Sequence, residues 1–190
     1  MQANTPFTIA SHDRKPQEKA NAPFFIATMM NPGFKIPESV LVVIHTLDLQ
    51  VLVMERRDQE GFWQSVTGSK DSLDESAAET AAREVREETG IDTALFQLTD
   101  WQLQNVYEIY PMWRHRYQPG VTQNTEHVFG LTLPEIMPVT LAEREHRQYR
   151  WLDWKAAADC CFSASNAEAI LQLPQRIRKN ETARSHLQHP

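Results

Sequence analysis

The run Arg83-Glu84-Val85-Arg86-Glu87-Glu88-Thr89-Gly90 is the strongest constraint on this 190-residue chain. It places three glutamates within five residues and stops on a glycine. On a helix, Glu84, Glu87 and Glu88 stand at i,i+3 and i,i+4 spacing, so they are neighbours that repel one another when unpaired. A helix that keeps such a cluster has a use for a cation, and an all-oxygen set suits a hard one: Mg²⁺, Mn²⁺ or Ca²⁺. Glu-rich helices with flanking arginines are also common as solvated faces, and the run by itself does not separate the two readings.

The surroundings favour the cation. Ser72-Leu73-Asp74-Glu75 reads as a capping box with Ser72 as N-cap, and Gly90 suits the left-handed residue that ends a helix, so a helix is expected over 73–89. Ala77, Ala78, Ala81, Ala82 and Val85 form a small apolar stripe that could lie close against a sheet. At about 100° per residue, Glu84 and Glu88 fall on the border of that stripe and Glu87 beyond it. Upstream come β-rich runs at 39–44 and 51–54, then Phe62-Trp63-Gln64-Ser65-Val66-Thr67-Gly68. The expected order is strand, strand, short strand, glycine turn, acidic helix.

Gly68, Glu75, Arg83, Glu84, Val85, Glu87, Glu88, Gly90 and Ile91 together resemble the Nudix box. That family motif is a glycine, five residues, a glutamate, seven residues, then Arg-Glu-aliphatic-x-Glu-Glu-x-Gly-aliphatic. Six residues rather than five separate Gly68 from Glu75 here, which reads as a one-residue insertion in the loop before the helix. Strands are also expected at 101–110, 126–133 and 148–152, and helices at 154–161 and 166–178, with an aromatic and basic loop over 111–120. Strands flanked by helices indicate an α/β domain, and the resemblance implies the same: an α/β/α sandwich around a mixed sheet.

Composition sets the remaining bounds. The hydrophobic content of 41% supports a core, and no run is long enough for a membrane helix. The net charge of −6 argues against nucleic-acid binding by a basic face, but leaves room for a phosphorylated small molecule beside a metal. Cys160 and Cys161 are adjacent, form no disulfide framework, and read as small fillers at a helix end. The first 20 residues lack the apolar core of a secretory signal, so a cytoplasmic location is expected. Residues 1–34 read as an N-terminal extension, either a flexible tail or a stretch upstream of a start at Met29 or Met30. Residues 35–178 read as the domain and 179–190 as a polar tail. The oligomeric state is left open.

The Nudix resemblance implies metal-dependent hydrolysis of a diphosphate linkage, with Mg²⁺ as cofactor and Mn²⁺ as a substitute. It makes Glu84, Glu87 and Arg83 the catalytic candidates, and Glu84, Glu87 and Glu88 the metal ligands. Glu145, with Glu143 as its competitor, is the expected acid from a later loop. Arg83 is expected to orient Glu84 or to pair with Glu75. Which acid acts as general base stays open.

The stretch Phe62 to Ser69 also resembles that of the family's bacterial dihydroneopterin triphosphate pyrophosphohydrolases, as do Glu55-Arg56-Arg57-Asp58, Asn124-Thr125-Glu126 and Trp151-Leu152-Asp153. This closer likeness runs over about 35–173. It implies cleavage of 7,8-dihydroneopterin triphosphate to the monophosphate and pyrophosphate, a step of folate biosynthesis. By position, Lys35, Arg56, Thr67, Tyr107, Glu108, Ile109, Tyr110 and Ser163 would contact substrate. Lys35 and Arg56 would meet phosphate, the aromatic residues would stack on the pterin, and Glu108 would accept from its N–H groups. Plain alternatives stand beside these: strand-end cations for Lys35 and Arg56, an ordinary strand over 107–110, and a helix cap for Ser163. A Nudix hydrolase of nucleoside triphosphates or dinucleoside polyphosphates is the alternative function. A non-catalytic Nudix ligand sensor is a further one, against which the intact glutamate triplet argues.

Overall fold

The structure, a computed structural model, describes residues 33–178. The expectations for 1–32 and 179–190 lie outside those residues. Seven strands form one mixed sheet: β1 (Glu38–Thr46), β2 (Gln50–Arg56), β3 (Trp63–Gln64), β4 (Val66–Ser69), β5 (Gln97–Glu108), β6 (Gln123–Leu133) and β7 (His146–Asp153). The main path runs β3-β2-β1-β6-β5, with β4 on β1 and β7 on β2. β1 and β6 pair in parallel and the other contacts are antiparallel. α1 (Ala77–Thr89) covers one face, and α2 (Trp154–Cys160) and α3 (Ala164–Leu171) cover the other. The expected α/β/α sandwich is present.

Residue alternation in the strands builds the two layers. Val40, Val42, Ile44, Leu52 and Met54 point to α1 and pack on its Ala81 and Val85. Leu41, Val43, Val51 and Val53 point the other way, onto Ala157 and Ala158 of α2 and Ala169 and Ile170 of α3. β1 is buried on both faces, which is why it reads as an unbroken apolar run. Cys160 and Cys161 pack, half-buried, against this second core, as their filler reading anticipates. Among the described residues, no helix is long and apolar enough to cross a membrane.

Three local expectations change. The helix begins at Ala77, not at residue 73, and its N-cap is Ser76 in a capping box with Glu79. Two consecutive Ser-x-x-Glu signatures compete here, and the second wins because Glu75 is taken elsewhere: its carboxylate accepts from the Asp71 N–H and from Arg83. Gly68 is not a turn residue. It lies inside β4, paired with Val40 of β1. On α1, Ala78 is exposed while Thr80, Glu88 and Thr89 are buried, so Glu88 faces the interior rather than the border of the stripe. The helix does end where expected, with Gly90 left-handed at φ 72° and its N–H donating to the Arg86 carbonyl.

Candidate active site

Arg83 ties the acidic end together. Its Nε donates to Glu75 at 2.9 Å, Nη1 to Glu84 at 2.8 Å and to Glu87 at 3.2 Å, and Nη2 to the Ser69 carbonyl at 2.9 Å. Both expected partners, Glu84 and Glu75, are therefore engaged at once, and the guanidinium also fastens α1 to the end of β4. These bonds raise the Arg83 pKa further, Glu75 contributing most.

Gly68 explains the close fit of Glu84 on the sheet. A Cβ at Gly68 would stand 1.8 Å from Glu84 Cδ, so only glycine leaves the room this carboxyl occupies. Burial pushes the Glu84 carboxyl up to about 7, and the nearby Glu88 and Glu87 add to the push while Arg83 opposes it.

Glu88 lies deeper, at 1% exposure. Its Oε2 is 2.8 Å from His146 Nε2, and the Thr67 backbone N–H also donates to it. Burial raises its pKa, opposed first by His146. The segment that brings in His146 is stitched to the end of α1: Ala142 N–H donates to the Glu88 carbonyl and Thr140 N–H to that of Thr89. A turn at Ala142 then presents Glu145 and His146. Among the described residues, ligand atoms of Glu88, Glu145 and His146 come within 4.8 Å of one another. The other two expected metal residues, Glu84 and Glu87, are drawn toward Arg83 instead. Glu145 faces the cleft, whereas Glu143 is held by its carbonyl to Arg57 Nη1 at 2.8 Å and does not line it.

A cleft of about 1070 Å³ opens beside these groups, with Arg83, Glu84, Glu87 and Glu145 on its wall. All eight residues expected to contact substrate line it as well. Lys35 is half-buried, and burial followed by Arg116 lowers its pKa, against Glu84 and Glu145. Arg56 makes a two-pronged pair with Asp58 at 2.8 and 2.7 Å and lies over the Trp113 ring. Thr67 Oγ1 accepts from Gln64 Nε2. Tyr110 packs edge-to-face on Trp113, and Ile109 is buried. Burial pushes the Tyr107 hydroxyl up to about 12, with Glu126 adding to it, and the hydroxyl accepts from Asn124 Nδ2. Glu108 is paired with Arg114 at 3.0 Å. Ser163 is the N-cap of α3, so its capping role is realised at the cleft wall.

Three cleft residues carry no functional expectation from sequence. Trp113 sits on a 3₁₀ turn over Pro111–Arg116, where the sequence shows only an aromatic, basic loop. His146 gives no local signal, because its partner Glu88 is 58 positions away. Glu126 is a buried carboxylate inside β6; its signal is the alternating pair Asn124 and Glu126 in step with the apolar Val128.

The acid-bearing helix, the glycine beneath it and the sandwich define a known class: the NUDIX domain model matches residues 35–173, and the chain belongs to the Nudix family. It is 47% identical over 148 residues to the dihydroneopterin triphosphate diphosphatase of Escherichia coli (strain K12), covering 76% of this chain and 97% of that protein. The Haemophilus influenzae protein of the same name is 39% identical over 153 residues, covering 77% of this chain and 92% of the relative. The solved structure of the E. coli dihydroneopterin triphosphate pyrophosphohydrolase superposes with a TM-score of 0.68 at 46% identity, over 73% of this chain and 95% of that one.

Proposed function

We propose that this Nudix enzyme hydrolyses 7,8-dihydroneopterin 3′-triphosphate to dihydroneopterin monophosphate and pyrophosphate, with Mg²⁺ as its cofactor and Mn²⁺ as a substitute. One observation carries the reading. A single cleft holds acids and Arg83 at one end and a polar, aromatic-edged pocket at the other, in a chain 47% identical to a protein named for that triphosphate. The volume of about 1070 Å³ is at the upper end for small-molecule sites and suits a bicyclic head with a triphosphate tail.

The donor set fits a divalent ion. Glu84 is pressed onto Gly68 with Glu87 and Glu88 as like-charged neighbours, and Glu88 and Glu145 converge below. Buried acids crowded in this way are eased by a cation. Glu84, Glu88 and Glu145 would hold it, with Glu87 on the solvent side. A bound divalent ion neutralises phosphate oxygens and acidifies a coordinated water.

The protein's own groups do the rest. Lys35 and Arg56 bind the phosphate tail as point charge and fork. Arg83 orients Glu84 and Glu87, which both line the cleft, and these two are our candidates to take a proton from the attacking water. Thr67 borders the phosphate path, Tyr107 and Tyr110 flank the ring system, and Ile109 and Ser163 shape the wall. Glu108, engaged by Arg114, stands at the rim.

A substrate panel with Mg²⁺ tests the reading. Pyrophosphate release from dihydroneopterin triphosphate should exceed release from GTP and dATP in kcat/KM. Equal or reversed values would sink the pterin assignment.

A further inference from the structure

We infer that Glu126 determines specificity in this cleft: its carboxylate reads the amino-amide edge of a 2-amino-4-oxo pyrimidine ring, the donor pair that pterin and guanine share. This rests on the proposed pterin substrate and sharpens it.

Glu126 sits within β6 between two paired strands, opposite Ser39 of β1 and Asn105 of β5. It is 5% exposed, yet its side chain borders the cleft. A buried carboxylate is costly unless well partnered. Here the partners are neutral. Asn105 Nδ2 donates at 3.2 Å, the Ser165 hydroxyl donates as well, and no lysine or arginine among the described residues forms an ion pair with it. Burial accordingly raises its pKa. A carboxylate offers about four acceptor positions and these two bonds fill two, so capacity remains for a ligand at the cleft surface.

Asn124 supplies an independent observation. It lies two residues earlier on the same face of β6 and is buried. Its Nδ2 donates to Ser39 Oγ at 2.7 Å and to the Tyr107 hydroxyl at 3.1 Å. Its Oδ1 has no hydrogen-bond partner among the described residues. Asn124 does not itself line the cleft, so the acceptor that a ligand meets there is Glu126, with the unpartnered Asn124 Oδ1 two residues along the strand. A pterin edge answers with adjacent donors, the ring N–H and the 2-amino group, which match a carboxylate in two parallel bonds. Adenine instead sets a ring acceptor beside its amino group, and that acceptor would face the carboxylate unpaired. Glu108, the acid that sequence position suggests for this role, already spends its charge on Arg114 at the rim.

The test needs one variant and two analogue pairs. In the unaltered protein, GTP should surpass ITP, which lacks the 2-amino group, by about tenfold or more in kcat/KM, the size expected for a hydrogen bond to a charged group. In Glu126→Gln, the ratio of kcat/KM for dihydroneopterin triphosphate over that for ATP should fall about ten- to a hundredfold, chiefly through KM, and the GTP preference over ITP should vanish. An unchanged ratio, or a loss spread evenly over all four triphosphates, would overturn the assignment. Equal rates for GTP and ITP in the unaltered protein would overturn it without any variant. The same panel keeps the two proposals apart. A protein that prefers dihydroneopterin triphosphate but keeps that preference in Glu126→Gln refutes only the role of Glu126. One that never prefers it refutes the substrate.

Discussion

Glu88 and Glu126 are both buried glutamates, at 1% and 5% exposure, and their surroundings differ in kind. Glu88 lies under α1, against His146 and a peptide N–H, with Glu84 and Glu145 close by. Glu126 lies on the opposite face of the sheet, among an amide and hydroxyls. Burial raises both pKa values, but only the first has a histidine and other acids around it. On the roles proposed above, one sheet would separate two tasks: charge handling under α1, and reading of a polar ring edge on the α2–α3 side. Changes at the first end should strike turnover and metal response, and changes at the second should strike affinity and selectivity.

The largest effect should come from Glu84→Gln and Glu88→Gln. Each keeps its shape and removes a negative charge, and each should lower Mg²⁺-dependent kcat on the order of 10³-fold while circular dichroism stays native. The unaltered protein should gain thermal stability on addition of Mn²⁺, as any ligand that binds only the folded state requires, and both variants should lose most of that gain. Near-normal turnover in both would remove the acidic end from the chemistry.

Gly68→Ala comes next. The added methyl would stand 1.8 Å from Glu84 Cδ, so either β4 or the carboxyl must move. A displacement near 1 Å at a reacting group can cost about 10²-fold, and the loss should fall on kcat rather than KM. A variant with unchanged kcat would show that Glu84 need not rest on β4.

These residues also show what a sequence reader can and cannot see. The end of α1 was legible because a glycine cap is a local matter. Its start is not legible in this way, because Ser72 and Ser76 both satisfy the capping pattern and the choice depends on Arg83 claiming Glu75. Gly68 looked like a turn residue for the same reason: its real constraint is a helix 16 positions on, pressing a carboxyl against it. Glu145 and Glu143 are separable in the sequence only by family likeness; in the structure Glu145 lines the cleft and stands near Glu88 and His146, and Glu143 does not line it. Glu126 escaped because a strand read from 126 puts it at the strand's mouth, where a charge is ordinary. β6 begins at Gln123, which places it inside. The layers themselves were readable, since periodic apolar residues fix which face of each strand is buried.

The smallest effect tests the division of labour most directly. Tyr107 sits at the recognition end, and with its hydroxyl pKa near 12 it stays neutral at any working pH. Tyr107→Phe keeps the ring for stacking and deletes only neutral hydrogen bonds of the hydroxyl, with Asn124 at 3.1 Å and with Ser39. Such a bond is worth about 1 kcal/mol, a factor of roughly five. Tyr107→Phe should therefore raise KM for dihydroneopterin triphosphate about three- to fivefold, with kcat within twofold of the unaltered protein. The shift should stay below that of Glu126→Gln, because no charged acceptor is lost. A fall in kcat with KM unmoved would mean that the two faces of the sheet are coupled through Asn124 and Ser39, and that recognition and chemistry are not divided as the burial of Glu88 and Glu126 implies.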